Sequence, residues 1–228
     1  MNVAIVFHRF GPYHCARLRA ASRFREAIAI ELVAETSEYA WSRVQEITGV
    51  KRLTLFPKGD PQENSAREIS RRMRQALSSC APNAVAIPGW SNKGAMAALS
   101  WCALTRTPAI LMSESTAQDE PRFWWREAIK RRIVNVYSTA LVGGQRHIEY
   151  LAGLGMPRDR IFIGYDVVDN EYFAQGANEV RSKNEEVRRR YGLPENYFLA
   201  SARFLEKKNL FTLLRAYATY RHYAGDNA

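Results

Sequence analysis

Five short polar stretches, each following a run of apolar residues, hold the side chains of this sequence best suited to chemistry. In HRFGPYHCAR (8–17), Gly11 permits a tight turn, and His14 and Arg17 fall three apart on the first turns of a helix. In PGWSNKG (88–94), Ser91 or Asn92 is placed to cap a helix beside Lys93. SESTAQD (113–119) contributes the carboxylates Glu114 and Asp119. Gly143-Gly144 offers bare backbone that a ligand can approach closely, and RFLEKKN (203–209) adds Arg203, Lys207 and Lys208. Imidazole, carboxylate, hydroxyl and cation together suit the binding of a polar or anionic ligand.

Other chemistries are poorly served. GxGxxG is absent after the first apolar run, and GxxxxGK[ST] and GxSxG occur nowhere, so no dinucleotide fingerprint, phosphate loop or serine-hydrolase elbow is present. The four histidines form no HExxH or HxxxH pair, and Cys15, Cys80 and Cys102 form no CxxC pair. These spacings argue against a metal site and against a disulfide framework, and favour a reducing cytosol.

The elements that must position these loops alternate between short apolar runs and longer helical patterns, as βαβ units around a parallel sheet do. Strands are predicted at 3–7, 32–34, 52–56, 84–87, 109–112, 140–142 and 161–163. Helices are predicted over 14–30, with Leu18, Ala21, Phe24 and Ile28 on one face, and over 64–77, with Ile69, Met73 and Leu77 on one face. Others are predicted at 93–104, at 146–154, and from Pro121 onward with Trp125, Ile129, Ile133 and Val136 toward the core. The expected fold is α/β, a doubly wound Rossmann-like parallel sheet, whose ligands lie beyond the carboxyl ends of the strands. All five polar stretches sit at such ends.

The chain has 228 residues, about one and a half domains at about 150 residues each. The first domain spans 1–170, a mixed-charge linker 171–196, and a restarted strand (197–202) and helix (209–223) open a second domain that stops at 228. An apolar fraction of 46% and a charged fraction of 25% are ordinary globular values. No apolar run reaches the roughly 18 residues a membrane span requires, and the N-terminus has no secretory-signal pattern. The net charge of +10 attracts polyanions: nucleic acid, anionic lipid or phosphorylated small molecules. No RNA- or DNA-binding motif accompanies it, so nucleic acid is set aside as a partner.

Two segments carry a resemblance. LVGGQRHIEYLAGLGMPRDRIFIGYDVVDNEYF (141–173) and YGLPENYFLASARFLEKKNLFTLLRAY (191–217) resemble the family 4 glycosyltransferases of GT-B fold. Val168, Asp169 and Phe173 match the family's VDxxxF-type segment, and Arg203 and Lys208 its Arg and Lys five residues apart. Asn209 stands where many members have Gly, and Ser113-Glu114-Ser115-Thr116 where many have a His. The resemblance implies two Rossmann-like domains facing across a cleft, the first binding an acceptor and the second a nucleotide-sugar. It implies that Arg203 and Lys208 neutralise the donor diphosphate as it leaves. Gly11, His14, Arg17 and Glu114 then belong to the acceptor side.

The activity implied is transfer of a hexose from a UDP- or GDP-linked sugar to a saccharide or lipid-linked saccharide, with retention of configuration as part of the likeness. It needs no metal and no cofactor besides the donor. The family's later Glu-x7-Glu motif is not in these residues, so the 228-residue chain alone is expected to be inactive. Cytoplasmic placement is expected, with one open addition: Arg122, Arg126 and Lys130 form a basic row beside Trp124 that suits an anionic membrane face. Two other readings stand beside the transferase, a non-catalytic flavodoxin-like domain for a phosphorylated ligand and a basic membrane- or polyanion-binding module.

Overall fold

The computed structural model describes residues 1–34, 47, 49–57 and 64–225. Seven strands form one parallel sheet: β1 (Asn2–Phe7), β2 (Glu26–Val33), β3 (Lys51–Phe56), β4 (Ala84–Pro88), β5 (Ala109–Ser113), β6 (Thr139–Val142) and β7 (Ile161–Ile163). Their order is β3-β2-β1-β4-β5-β6-β7. The chain winds outward from β1 in one direction and from β4 in the other, so the two loops after β1 and β4 open a crevice between them. This is an α/β Rossmann-like fold.

Helices α1 (Pro12–Ser22), α2 (Ala66–Cys80), α3 (Lys93–Thr105), α4 (Trp124–Val134) and α5 (Gln145–Gly153) connect the strands. Both sheet faces are covered, and the two-residue period of β2 sorts its side chains between them. Ile28, Ile30 and Leu32 join the larger core with Ile69, Met73 and Leu77 of α2. Ala29 joins the smaller one with Phe7, Phe10, Cys15 and Leu18 beside α1. The Ser65 hydroxyl accepts from the Glu68 amide at 3.2 Å and Asn92 Oδ1 from the Ala95 amide at 2.7 Å, capping α2 and α3. Gly94 lets α3 close on the sheet, since a Cβ there would lie 2.4 Å from Leu32 Cδ2.

Sequence expectations change at two helices. The helix predicted over 14–30 ends at Ser22, and 26–33 is strand β2. EAIAIELV is buried on seven of its eight positions, and a mostly apolar run of that kind imitates a buried helix in periodicity. Phe24, assigned to the core face, is 77% exposed. The fourth helix begins at Trp124 rather than at Pro121, and it is rotated. Glu127, Lys130 and Val134 turn inward, because Glu127 accepts from Lys130 Nζ at 2.9 Å and from the Tyr150 hydroxyl at 3.0 Å. Trp125, Ile129 and Val136, expected in the core, are therefore about half exposed.

The chain divides into two units, Met1–Tyr172 and Phe173–Ala228. The expected linker is mostly helical, with α6 (Asn170–Ser182) and α7 (Asn184–Tyr191), and α8 (Leu210–Ala224) matches the helix expected there. Residues 197–202, expected as a strand, are neither strand nor helix, and 226–228 lie outside the described residues. Among the described residues the second unit holds no strand that could pair with 197–202, and an extended segment without a partner leaves its amides unsatisfied. Phe198 instead meets the rings of Tyr217 and Tyr220 on α8, edge-on at 6.0 and 5.4 Å.

Candidate functional site

At the carboxyl end of β1 the chain turns through Arg9 and Phe10 into α1. Buried Glu31, the residue paired with Phe7 in the sheet, anchors that turn. Its carboxylate accepts from the Phe10 amide at 3.1 Å, from Arg52 Nε at 2.9 Å and from the Thr54 hydroxyl at 2.7 Å. A buried carboxylate is tolerable only with such partners. The sequence reading missed Glu31, because a lone acid inside an apolar strand gives no spacing signal.

Gly11 caps α1, and its amide donates to His14 Nδ1 at 3.0 Å. That bond holds the ring neutral at Nδ1, and the ring lies 4.4 Å from that of Phe7. Burial, reinforced by the Arg17 charge, lowers the His14 pKa to about 4. One turn on, Arg17 Nε donates to the Val167 carbonyl at 2.8 Å and Nη2 to Asp166 Oδ1 at 3.0 Å. Its guanidinium also lies over the Tyr165 ring, 5.3 Å from the centroid. The loop after β1 and the loop after β7 are thereby joined.

Glu114 is the first residue beyond β5. Crowding by surrounding protein raises its pKa although the residue is exposed overall, and the Asp166 carboxylate adds to the rise while Arg17 and His147 oppose it. Gly143, just beyond β6, leaves room for the His147 ring. A Cβ there would come within 3.3 Å of His147 Cε1 and 3.5 Å of Asp166 Cβ. His147 Nδ1 is buried and has no hydrogen-bond partner among the described residues. Four expected residues, Gly11, His14, Arg17 and Glu114, thus converge, joined by Asp166 and His147.

Asp166 was missed although it obeys the same strand-end rule, lying just past Gly164 (φ +133°) at the end of β7. Asp119 is used locally: its two oxygens accept from the Thr116 amide at 2.6 Å and hydroxyl at 2.7 Å, which lowers its pKa. Asp169 caps α6 by accepting from the Tyr172 amide at 3.0 Å. Arg203 and Lys208 lie in the second unit, both exposed, on the turn before α8. There Asn209 takes a left-handed conformation (φ +49°), as the glycine common at this position in the resembled family would. Among the described residues no three His, Cys, Asp or Glu side chains gather as a metal-ligand set.

No protein-family model matches this sequence, and no curated protein matches it. Solved structures do resemble it in fold. UDP-GlcNAc 2-epimerase from Neisseria meningitidis bound to UDP-GlcNAc has a TM-score of 0.57 at 13% identity, over 86% of this chain and 54% of that one. A glycosyltransferase from Rickettsia africae ESF-5 has a TM-score of 0.53 at 10% identity, over 86% and 50%. Anabaena HepE in complex with UDP and glucose has 0.52 at 9%, over 73% and 45%. The chain spans about half the length of these structures. Its fold is a Rossmann-like α/β sheet, as in these structures.

Proposed function

We propose that this chain supplies the acceptor-binding part of a GT-B glycosyltransferase, which moves a hexose from a UDP- or GDP-linked sugar to a saccharide or lipid-linked saccharide. The observation that carries the reading is the group beyond β1, β5, β6 and β7: His14, Arg17, Glu114, His147 and Asp166. Carboxylates, a cation and imidazoles at one sheet edge match what vicinal hydroxyls offer, donors and acceptors side by side. In this reading the segment from 197 opens the donor-binding domain, and Arg203 and Lys208 take the diphosphate. Charge-assisted bonds from two cations stabilise the negative charge that grows as the sugar bond breaks.

A second reading, nucleotide-sugar epimerisation, is favoured by the fold likeness to the Neisseria epimerase. One assay separates the two. The protein is incubated with UDP- and GDP-hexoses, with and without saccharide and lipid-linked acceptors. Release of UDP or GDP only when an acceptor is present supports transfer. Interconversion of UDP-GlcNAc with its C2 epimer, independent of acceptor, supports epimerisation and overturns transfer.

A further inference from the structure

Helix α4 turns an apolar stripe to solvent. Trp124, Trp125, Ala128, Ile129 and Arg132 follow the spacing of one helical face, and Trp124 is 84% exposed, Ile129 50% and Trp125 47%. Phe123, at the cap, is 49% exposed. An exposed cluster of three aromatic rings and an isoleucine on one short helix is unlike the scattered apolar residues of an ordinary surface.

Apart from one acid, the charges on this helix are basic. Arg126, Arg131 and Arg132 are exposed, and Arg126 stacks over Phe123 at 5.2 Å and Trp125 at 5.1 Å. Glu127, the helix's single acid, is turned away and held by Lys130 and Tyr150. The basic row read from the sequence is therefore split. Lys130 is drawn inward with Glu127, and Arg122 donates to the Tyr150 hydroxyl at 2.9 Å, leaving Arg126 alone of the three on the outer side. Tryptophans flanked by arginines suit the boundary between headgroups and acyl chains, where the indole is apolar in body and polar at one edge. No helix among the described residues is long and apolar enough to cross a membrane. A surface-lying helix fits this composition.

We propose that the outer face of α4 docks the protein on an anionic lipid bilayer, with Trp124, Trp125 and Ile129 entering the interface and Arg126 and Arg132 meeting the headgroups. The surface is independent of which sugar chemistry the protein performs. Its place has a consequence, however. α4 follows the loop that leaves the carboxyl end of β5, so its tryptophan end lies at the sheet edge that carries Glu114 and Asp166. A bilayer held there brings lipid-borne headgroups to the same edge.

The test is co-sedimentation of the full chain with vesicles of phosphatidylcholine, or of phosphatidylcholine mixed with phosphatidylglycerol, with brominated acyl chains in a parallel set. The chain is expected to bind the anionic vesicles, to release as salt rises, and to have its tryptophan emission quenched by the brominated chains. Trp124→Ser with Trp125→Ser should weaken binding about tenfold or more and remove the quenching. Arg126→Gln and Arg132→Gln should each cost about fivefold on anionic vesicles and leave neutral ones unaffected. Circular dichroism and melting temperature report folding of each variant, and either pair of variants alone suffices for the test. Absence of binding by the wild type, or equal binding by the variants, overturns the proposal. So does a concentration-dependent dimer that the tryptophan variant abolishes, without vesicle binding, which would make this face an interface between protein copies.

Discussion

Arg17 and Asp166, 149 residues apart in sequence, meet in an ion pair of 3.0 Å that joins the first helix to the end of the last strand. The same guanidinium donates to the Val167 carbonyl at 2.8 Å. Asp166 is mostly exposed, so solvent screening keeps the pair's contribution to stability small. Its consequence is geometric. The pair sets where the Asp166 carboxylate stands relative to Glu114 and His14.

Arg17→Gln is expected to lower stability by no more than about 1 kcal/mol. It should weaken saccharide binding about tenfold, because both carboxylates lose their common cation. Arg17→Lys should restore little, since one ammonium cannot span the carboxylate and the carbonyl together. Calorimetric titration with candidate acceptors, beside thermal melts of the same variants, checks both halves.

His14 has a pKa near 4 in the folded chain, against an ordinary value of about 6.5 when unfolded. Between these values the unfolded state binds more protons, so stability is full above about 6.5 and is lost as pH falls toward 4. The linked change is on the order of 3 kcal/mol. Urea denaturation of wild type and His14→Gln across that window should show a wild-type slope that the variant lacks. Glu114 has the opposite sign. Its raised pKa adds stability at low pH that is lost as pH rises through the folded value, so Glu114→Gln should gain relative to wild type toward neutrality.

Glu31→Gln should be the most damaging of these substitutions. It removes the charge that Arg52 and Thr54 address and puts an amide donor where the Phe10 amide needs an acceptor. Breaking a buried pair by changing one partner costs about 3–5 kcal/mol. A lowered urea midpoint is expected, together with loss of protection of the Phe10 amide in hydrogen exchange.

Gly94→Ala should cost about 1–3 kcal/mol through overpacking, since its methyl would overlap the buried Leu32 side chain. Adding Leu32→Ala should return part of that loss. If the two substitutions instead add independently in chemical denaturation, the close approach of α3 to β2 is not what requires the glycine.

The parallel α/β architecture was legible in the sequence because its signals are local. Ile69, Met73 and Leu77 mark a helix by spacing alone, and all three are buried. The strands from 84, 109, 139 and 161 stand out as short apolar runs bounded by turn residues, and the strand-end rule leads from the strand at 109 to Glu114 and from the first strand to His14 and Arg17. Where the local signal was ambiguous, only the sheet decided. β2 reads equally as buried helix, and it is a strand because β1 and β3 lie on either side to take its backbone hydrogen bonds. The facing of α4 was decided the same way. Its apolar spacing pointed Trp125 and Ile129 inward, whereas the bond between Glu127 and Tyr150 of α5, between residues 23 apart in sequence, turns them to solvent.

Residue types along the chain thus determined the fold class and which loops hold the polar groups, since periodicity and turn chemistry act over a few neighbouring residues. Tertiary structure alone decided that Asp166 answers Arg17, that Glu31 anchors the loop of His14, and that the tryptophans of α4 face outward. Each of these depends on partners brought together by strand order. Ion pairs and hydrogen bonds form within about 3 Å, and no pattern read along the sequence measures that distance.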